Sequence, residues 1–117
     1  MSYSNIAKNG MLDWLRGQIT ELSIHTGNPG TTGATEVAGG GYARVAVTSA
    51  DFDAAANGEV ILNNDKEFDG PANEDALNAG AWGGTDFLIS FTGSGDLSFN
   101  ADGKLLLKAG TTFDLNA

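Results

Sequence analysis

Residues 85–115 read TDFLISFTGSGDLSFNADGKLLLKAGTTFDL, and this stretch decides the fold class. Apolar and polar residues alternate, and each short run ends on a glycine-containing turn. Thr85 to Thr92 reads as a strand with Phe87, Ile89 and Phe91 on one face and Leu88 on the other, which makes it a central strand. Gly93-Ser94-Gly95 turns into Asp96–Asn100, where Leu97 and Phe99 share a face. Asp102-Gly103 is a two-residue hairpin signal leading into Lys104–Lys108. Ala109-Gly110 turns once more into Thr111–Leu115, with Phe113 and Leu115 alternating against polar neighbours.

Toward the N-terminus the same period continues. Asp69–Gly84, rich in Gly, Asn and Ala with Trp82 near its end, reads as a long connection. Glu59–Asn63 is a strand, Lys66–Phe68 a short one, and Asp51–Gly58 a loop or helical turn ending on Asn57-Gly58. Tyr42–Thr48 alternates as a strand behind Gly39-Gly40-Gly41, whose backbone is free to take positive φ or to approach a neighbour closely. Thr26–Glu36, holding Asn28-Pro29-Gly30, is an irregular loop. Ile19–His25 is a strand with Thr20, Leu22 and Ile24 on one face and Glu21, Ser23 and His25 on the other, the latter leaving His25 solvated or loosely hydrogen-bonded.

The period changes to helical before residue 19. Ser4 is a candidate N-cap for a helix reaching about Gln18, with Gly17 as its C-terminal cap. Ile6, Ala7, Met11, Trp14 and Leu15 form an apolar stripe, and Lys8, Asn9, Asp13 and Arg16 take the other side. A helix this short is marginal alone, so the stripe packs on the sheet or on a neighbouring subunit. The expected architecture is therefore all-β: a β-sandwich or jelly roll with a short N-terminal α-helix. It forms a single domain over 1–117, with the helix in 1–18 and the sandwich in 19–117.

Composition narrows function. Fifteen acidic against 6 basic residues give a net charge of −9, which repels nucleic acid. With no cysteine there is no disulfide, thiolate zinc site or cysteine nucleophile. The N-terminus lacks the apolar run of a signal peptide, and no segment approaches the length of a membrane span. His25 is the sole histidine, no Gly-x-Ser-x-Gly elbow occurs, and the glycines at 27, 30 and 33 lack phosphate-loop spacing. Asp65, Glu67, Asp69 and Gly70 mimic a calcium loop, but Ala76 stands where its bidentate glutamate belongs. The chain is expected not to be an enzyme and to hold no metal or cofactor.

Four segments carry a resemblance. They are the Ser4-Asn5 helix opening with Leu12 and Leu15, the run His25-Thr26-Gly27-Asn28-Pro29-Gly30, the run Glu36 to Arg44 with its Gly-Gly-Gly-Tyr core, and Ala81-Trp82-Gly83. Together they resemble small virion structural proteins of tailed bacteriophages, described as head-decoration or tail-fibre proteins. The resemblance implies a capsid decoration (cement) protein, a trimer bound to the major capsid protein. The alternative is a tail or fibre component that links tail parts or recognises host glycans. It places the protein in the virion, made in the host cytoplasm. Candidate subunit contacts are Ile6, Met11, Trp14 and Leu15 on the helix, with Tyr42 and Arg44. Those last two either pack at the core rim and pair with a carboxylate, or lie at a subunit contact.

Overall fold

A computed structural model describes residues 3–93 and 97–114. Helix α1 spans Asn5–Gln18 and is followed by strands β1 (Glu21–His25), β2 (Val45–Ala46), β3 (Glu59–Ile61), β4 (Lys66–Asp69), β5 (Asn78–Gly83), β6 (Asp86–Phe91), β7 (Lys104–Leu107) and β8 (Thr112–Asp114), with a 3₁₀ turn at Ser49–Asp51. All pairings are antiparallel. One sheet has the order β2-β1-β5-β6, and two two-stranded ladders, β3-β8 and β4-β7, pack across from it. The fold is a β-sandwich with one short N-terminal helix, as the alternation implies.

The core lies between these layers. Leu22, Ile24, Ala79, Ala81 and Phe91 come from the four-stranded sheet; Val60, Phe68, Leu105, Leu107 and Phe113 come from the ladders, and Leu62 follows β3. Phe91 and Phe113 bridge the two, their ring centroids 5.6 Å apart. Leu105 and Leu107 are buried while Leu106 is exposed, so the three consecutive leucines of β7 take alternate faces.

Three strand readings are corrected. Residues 78–83 are not part of a long connection but form β5, flanked on both sides by partners. Its sequence, Asn-Ala-Gly-Ala-Trp-Gly, carries no β-branched residue, so propensity is silent about it. The small residues are what the site demands: a Cβ on Gly80 would stand 2.7 Å from Phe87 and 2.8 Å from Ser23 Oγ. Strand β6 is correspondingly an edge and not central. Phe87, Ile89 and Phe91 do not share a face either. A register shift opposite Ala81/Trp82 pairs Phe87 with Trp82 and Ile89 with Ala81, leaving Leu88 as the extra residue of a bulge. Phe87 thus joins Trp82 on the sheet's outer face, while Ile89 and Phe91 turn to the core.

Smaller differences follow the same logic. Only Val45–Ala46 of the 42–48 segment is strand. Leu97 and Phe99 are both buried, as the alternation implies, but 97–100 is not laddered strand. The 100–104 connection is a three-residue hairpin loop: Gly103 N donates to Asn100 O, Asn100 N donates to Lys104 O, and Gly103 takes φ 71°. Ser94 to Asp96 and Leu115 lie outside the described residues.

The helix brings the largest correction. Ser4 Oγ does accept from Ala7 N at 3.2 Å, confirming the cap, but the helix runs through Gly17 to end at Gln18. Its buried residue is Leu12, with Leu15 half-buried beside it. Ile6 is 87% exposed, Trp14 64% and Met11 39%. The polar side faces the domain instead: Asn9 Oδ1 accepts from Gly58 N at 2.9 Å, Asp13 Oδ1 from Ala55 N at 2.8 Å, and Arg16 donates to Ser49 O at 2.8 Å. Unpaired backbone groups of the 49–58 segment are capped by helix side chains, and that demand outweighs the apolar stripe. No helix among the described residues is long and apolar enough to cross a membrane.

Candidate functional site

Two places hold more chemistry than the fold alone explains. The first is the outer face of the four-stranded sheet, where Glu21, Ser23 and His25 of β1 stand beside Gly80 and Trp82 of β5. His25 is fully buried there, not solvated. The loop 26–36 folds back over it, with Val37 N donating to Ile24 O and Thr26 N to Thr35 O. Trp82 Nε1 donates to Ser23 Oγ at 2.9 Å, Ser23 Oγ lies 2.7 Å from His25 Nε2, and His25 Nδ1 lies 2.8 Å from Ala34 O. The directions close in one way: Ser23 gives its proton to Nε2, and a neutral imidazole gives its Nδ1 proton to the carbonyl. Burial lowers the His25 pKa, against the pull of the Ala34 carbonyl.

Beside this chain, Glu36 collects two partners. Arg44 grips its carboxylate with two bonds of 3.0 Å, and Tyr42 Oη donates to Oε2 at 2.8 Å while accepting from Ile24 N at 2.9 Å. Burial pushes the Glu36 carboxyl up, but the Arg44 and Tyr42 hydrogen bonds together hold it below the usual range. Burial pushes the Tyr42 phenol well up. The Arg44 guanidinium lies 3.6 Å over the Trp82 ring, and Phe87 meets Trp82 edge-on. A serine and a histidine in contact are two parts of a hydrolase triad, but here the histidine's far nitrogen meets a backbone carbonyl and both side chains are sealed from solvent. The arrangement is a clamp that fastens the 26–44 loop to the sheet.

The glycine run completes the clamp. Gly39, Gly40 and Gly41 take φ of 88°, 60° and 78°, and a Cβ on Gly40 would stand 2.4 Å from Pro71 N. Both expectations for this run, positive φ and close approach, hold. Tyr42 and Arg44 are not on a strand, yet both converge on Glu36. Tyr42 stacks on Phe68 at the core rim, with centroids 6.5 Å apart.

The second place is the outward face of α1. Ile6, Met11 and Trp14 project from it with Tyr3 just before the helix, and Leu15 turns partly inward. Gly10, Met11, Leu12, Trp14 and Leu15 line an open apolar depression of about 450 Å³. Of the six contact candidates, Ile6, Met11 and Trp14 thus share one exposed face, while Tyr42 and Arg44 lie elsewhere with their polar atoms engaged inside the chain. The acidic run makes no convergent site. Asp65 Oδ1 accepts from Ala109 N at 2.7 Å and Asp69 pairs with Lys104, so these oxygens serve the β4–β7 ladder.

A family model described as podophage GP4 fiber I protein gp80 matches residues 2–83. The chain belongs to that family. Nothing among curated proteins or solved structures matches it. As a gp80-family member it is a structural protein of a phage virion. The match takes in α1, the clamp loop and β5, and stops where the β5–β6 hairpin begins. Both places described above therefore lie within the gp80-family segment, save Phe87.

Proposed function

We propose that the protein is a tail or fibre component of the virion that works by binding neighbouring virion proteins and not by catalysis. The family match over residues 2–83 carries this reading, since the family is named for a fibre protein. It favours the tail alternative over head decoration, and with it a tail protein over the major capsid protein as partner. Within the tail reading, linking is better supported than glycan recognition. Trp82 and Tyr42, the aromatics suited to stack on a sugar, are occupied by Arg44 and Phe68. The exposed aromatics among the described residues, Tyr3 and Trp14, lie beside the aliphatic side chains of α1, a composition that suits a protein contact. A subunit that binds only the assembled structure stabilises it by its binding free energy.

Gold-labelled antibody against the protein, applied to intact virions and imaged by electron microscopy, tests the location. Label on the tail or its fibres is expected. Label spread over the head would overturn the proposal and restore the decoration reading.

A further inference from the structure

We propose that two copies of the chain pair through the outward face of α1, the helices crossing antiparallel about a two-fold axis at Gly10. The helix is held to its own domain by Leu12 and by its polar side, and the opposite side is exposed, with no packing partner among the described residues. Along that side of the helix run Ala7, Gly10, Trp14 and Gly17, at spacings of three, four and three, the spacing of a helix-packing seam, with the exposed Tyr3 just ahead of the Ser4 cap at its N-terminal end. Two glycines inside one short helix weaken it relative to alanine. Neither is required by the fold: a Cβ on Gly10 or Gly17 would meet nothing within 4 Å. Their absence of side chain has a use if another backbone comes close from outside.

The order of large and small residues selects the occupant. Turned antiparallel about Gly10, the seam is its own complement: Tyr3 faces the partner's Gly17, Trp14 faces the partner's Ile6 and Ala7, and Gly10 faces Gly10. Each bulky side chain meets a small or aliphatic one, which is the isologous match of a two-fold interface. A parallel bundle would stack Trp14 on Trp14 and Tyr3 on Tyr3 and leave voids at both glycines. Charge agrees. With Lys8 and Arg16 against Asp13, α1 carries +1, so the remainder of this −9 chain carries −10. Two like copies meet with least repulsion helix to helix. The exposed apolar side chains offer roughly 500 Å² per copy, about 1,000 Å² per pair, at the lower limit for a specific interface.

Sedimentation of the purified full chain from ~1 µM to ~1 mM should show a monomer–dimer equilibrium. Trp14→Ser should weaken it at least tenfold with unchanged circular dichroism and, at concentrations where both proteins are monomeric, an unchanged melting temperature, because Trp14 faces away from its own core. The chain lacks cysteine, so single cysteines report geometry cleanly. In an oxidised mixture, Tyr3→Cys should cross-link to Gly17→Cys and not to itself. A monomer throughout the range, a Trp14→Ser variant that associates like wild type, or Tyr3→Cys linked to itself in a trimer would each overturn the proposal. Pairing in solution is independent of where the virion holds the protein, so either proposal can fail without the other.

Discussion

His25 is a base sealed between a serine hydroxyl, a backbone carbonyl and the edge of Phe87, whose ring centroid lies 5.9 Å away. Charging it would strip Nε2 of its role as acceptor and place a cation in a buried site. Burial holds its folded pKa below the ordinary 6.5, so between those two values the unfolded chain binds more protons than the folded one. Stability therefore falls as pH drops below about 6.5, by at most about 1.4 kcal/mol per pH unit for one group. Glu36 acts lower: its depressed pKa gives stability present above the ordinary 4.5 and lost as pH falls through its folded value. Urea unfolding at several pH values above 4.5 isolates the histidine. Wild type should lose stability on acidification from about pH 6.5, while His25→Gln, weaker at neutral pH by about 1–3 kcal/mol from its disturbed hydrogen bonds, should stay level. Parallel slopes for the two proteins would show that His25 is already solvated. Alternation alone puts His25 on a solvent face because its neighbours Glu21 and Ser23 are polar. What covers that face is a loop eleven residues long, 26–36, and a two-residue period says nothing about a loop's path. The buried Trp82 indole that meets Ser23 is equally invisible in the sequence, since the strand bearing it has no strand-like pattern.

At the scale of elements, β6 shows what a pattern can and cannot carry. The sequence identifies the strand within a residue of its ends but not its place in the sheet, because edge and centre depend on whether β5 exists. Nor does it show the bulge, which arises from pairing with a partner whose register the sequence hides. The bulge separates two substitutions that a straight strand would make equivalent. Phe91 is 8% exposed and meets Phe113 across the sandwich, whereas Leu88 is half-buried beside the sheet's edge. Phe91→Asp should unfold the domain, since an unpaired buried charge costs several kcal/mol out of a total of about 5–15 kcal/mol. Leu88→Asp should lower the stability by about 1–2 kcal/mol and leave a folded protein, because its carboxylate can reach water. Thermal melts decide: equal loss of folding in both would put Leu88 in the core and remove the bulge. In α1 the legible part is the element, its Ser4 cap and its approximate length. The inward face escapes the pattern because three hydrogen-bonding side chains, Asn9, Asp13 and Arg16, fit the 49–58 backbone, and hydrophobic periodicity gives no weight to such partners.

For the molecule as a whole, the consequence is that α1 belongs to the sandwich even as Ile6, Met11 and Trp14 on its far side stay exposed among the described residues. From sequence, the sandwich strands hold alternating apolar faces of their own, which suggests that the helix is dispensable to the fold. The contacts argue otherwise. Leu12 is fully buried in the same cluster as Phe52 and Val60, and the helix supplies the acceptors for Ala55 N and Gly58 N and the donor for Phe52 O. Removing Tyr3 to Leu15 withdraws a core leucine, worth about 2–5 kcal/mol by analogy with leucine-to-alanine cavities. It also leaves two backbone donors without side-chain partners at about 1 kcal/mol each. Against a total near 5–15 kcal/mol the truncated chain is at or below the threshold of folding. Its urea midpoint should fall sharply, or its transition vanish. Ile6→Ser and Trp14→Ser, on the opposite side of the same helix, should leave the stability within about 0.5 kcal/mol of wild type. A truncated protein that melts like the full chain would mean that the polar side of α1 does not grip the 49–58 segment. The helix would then be an appended arm, free to place either face against a partner.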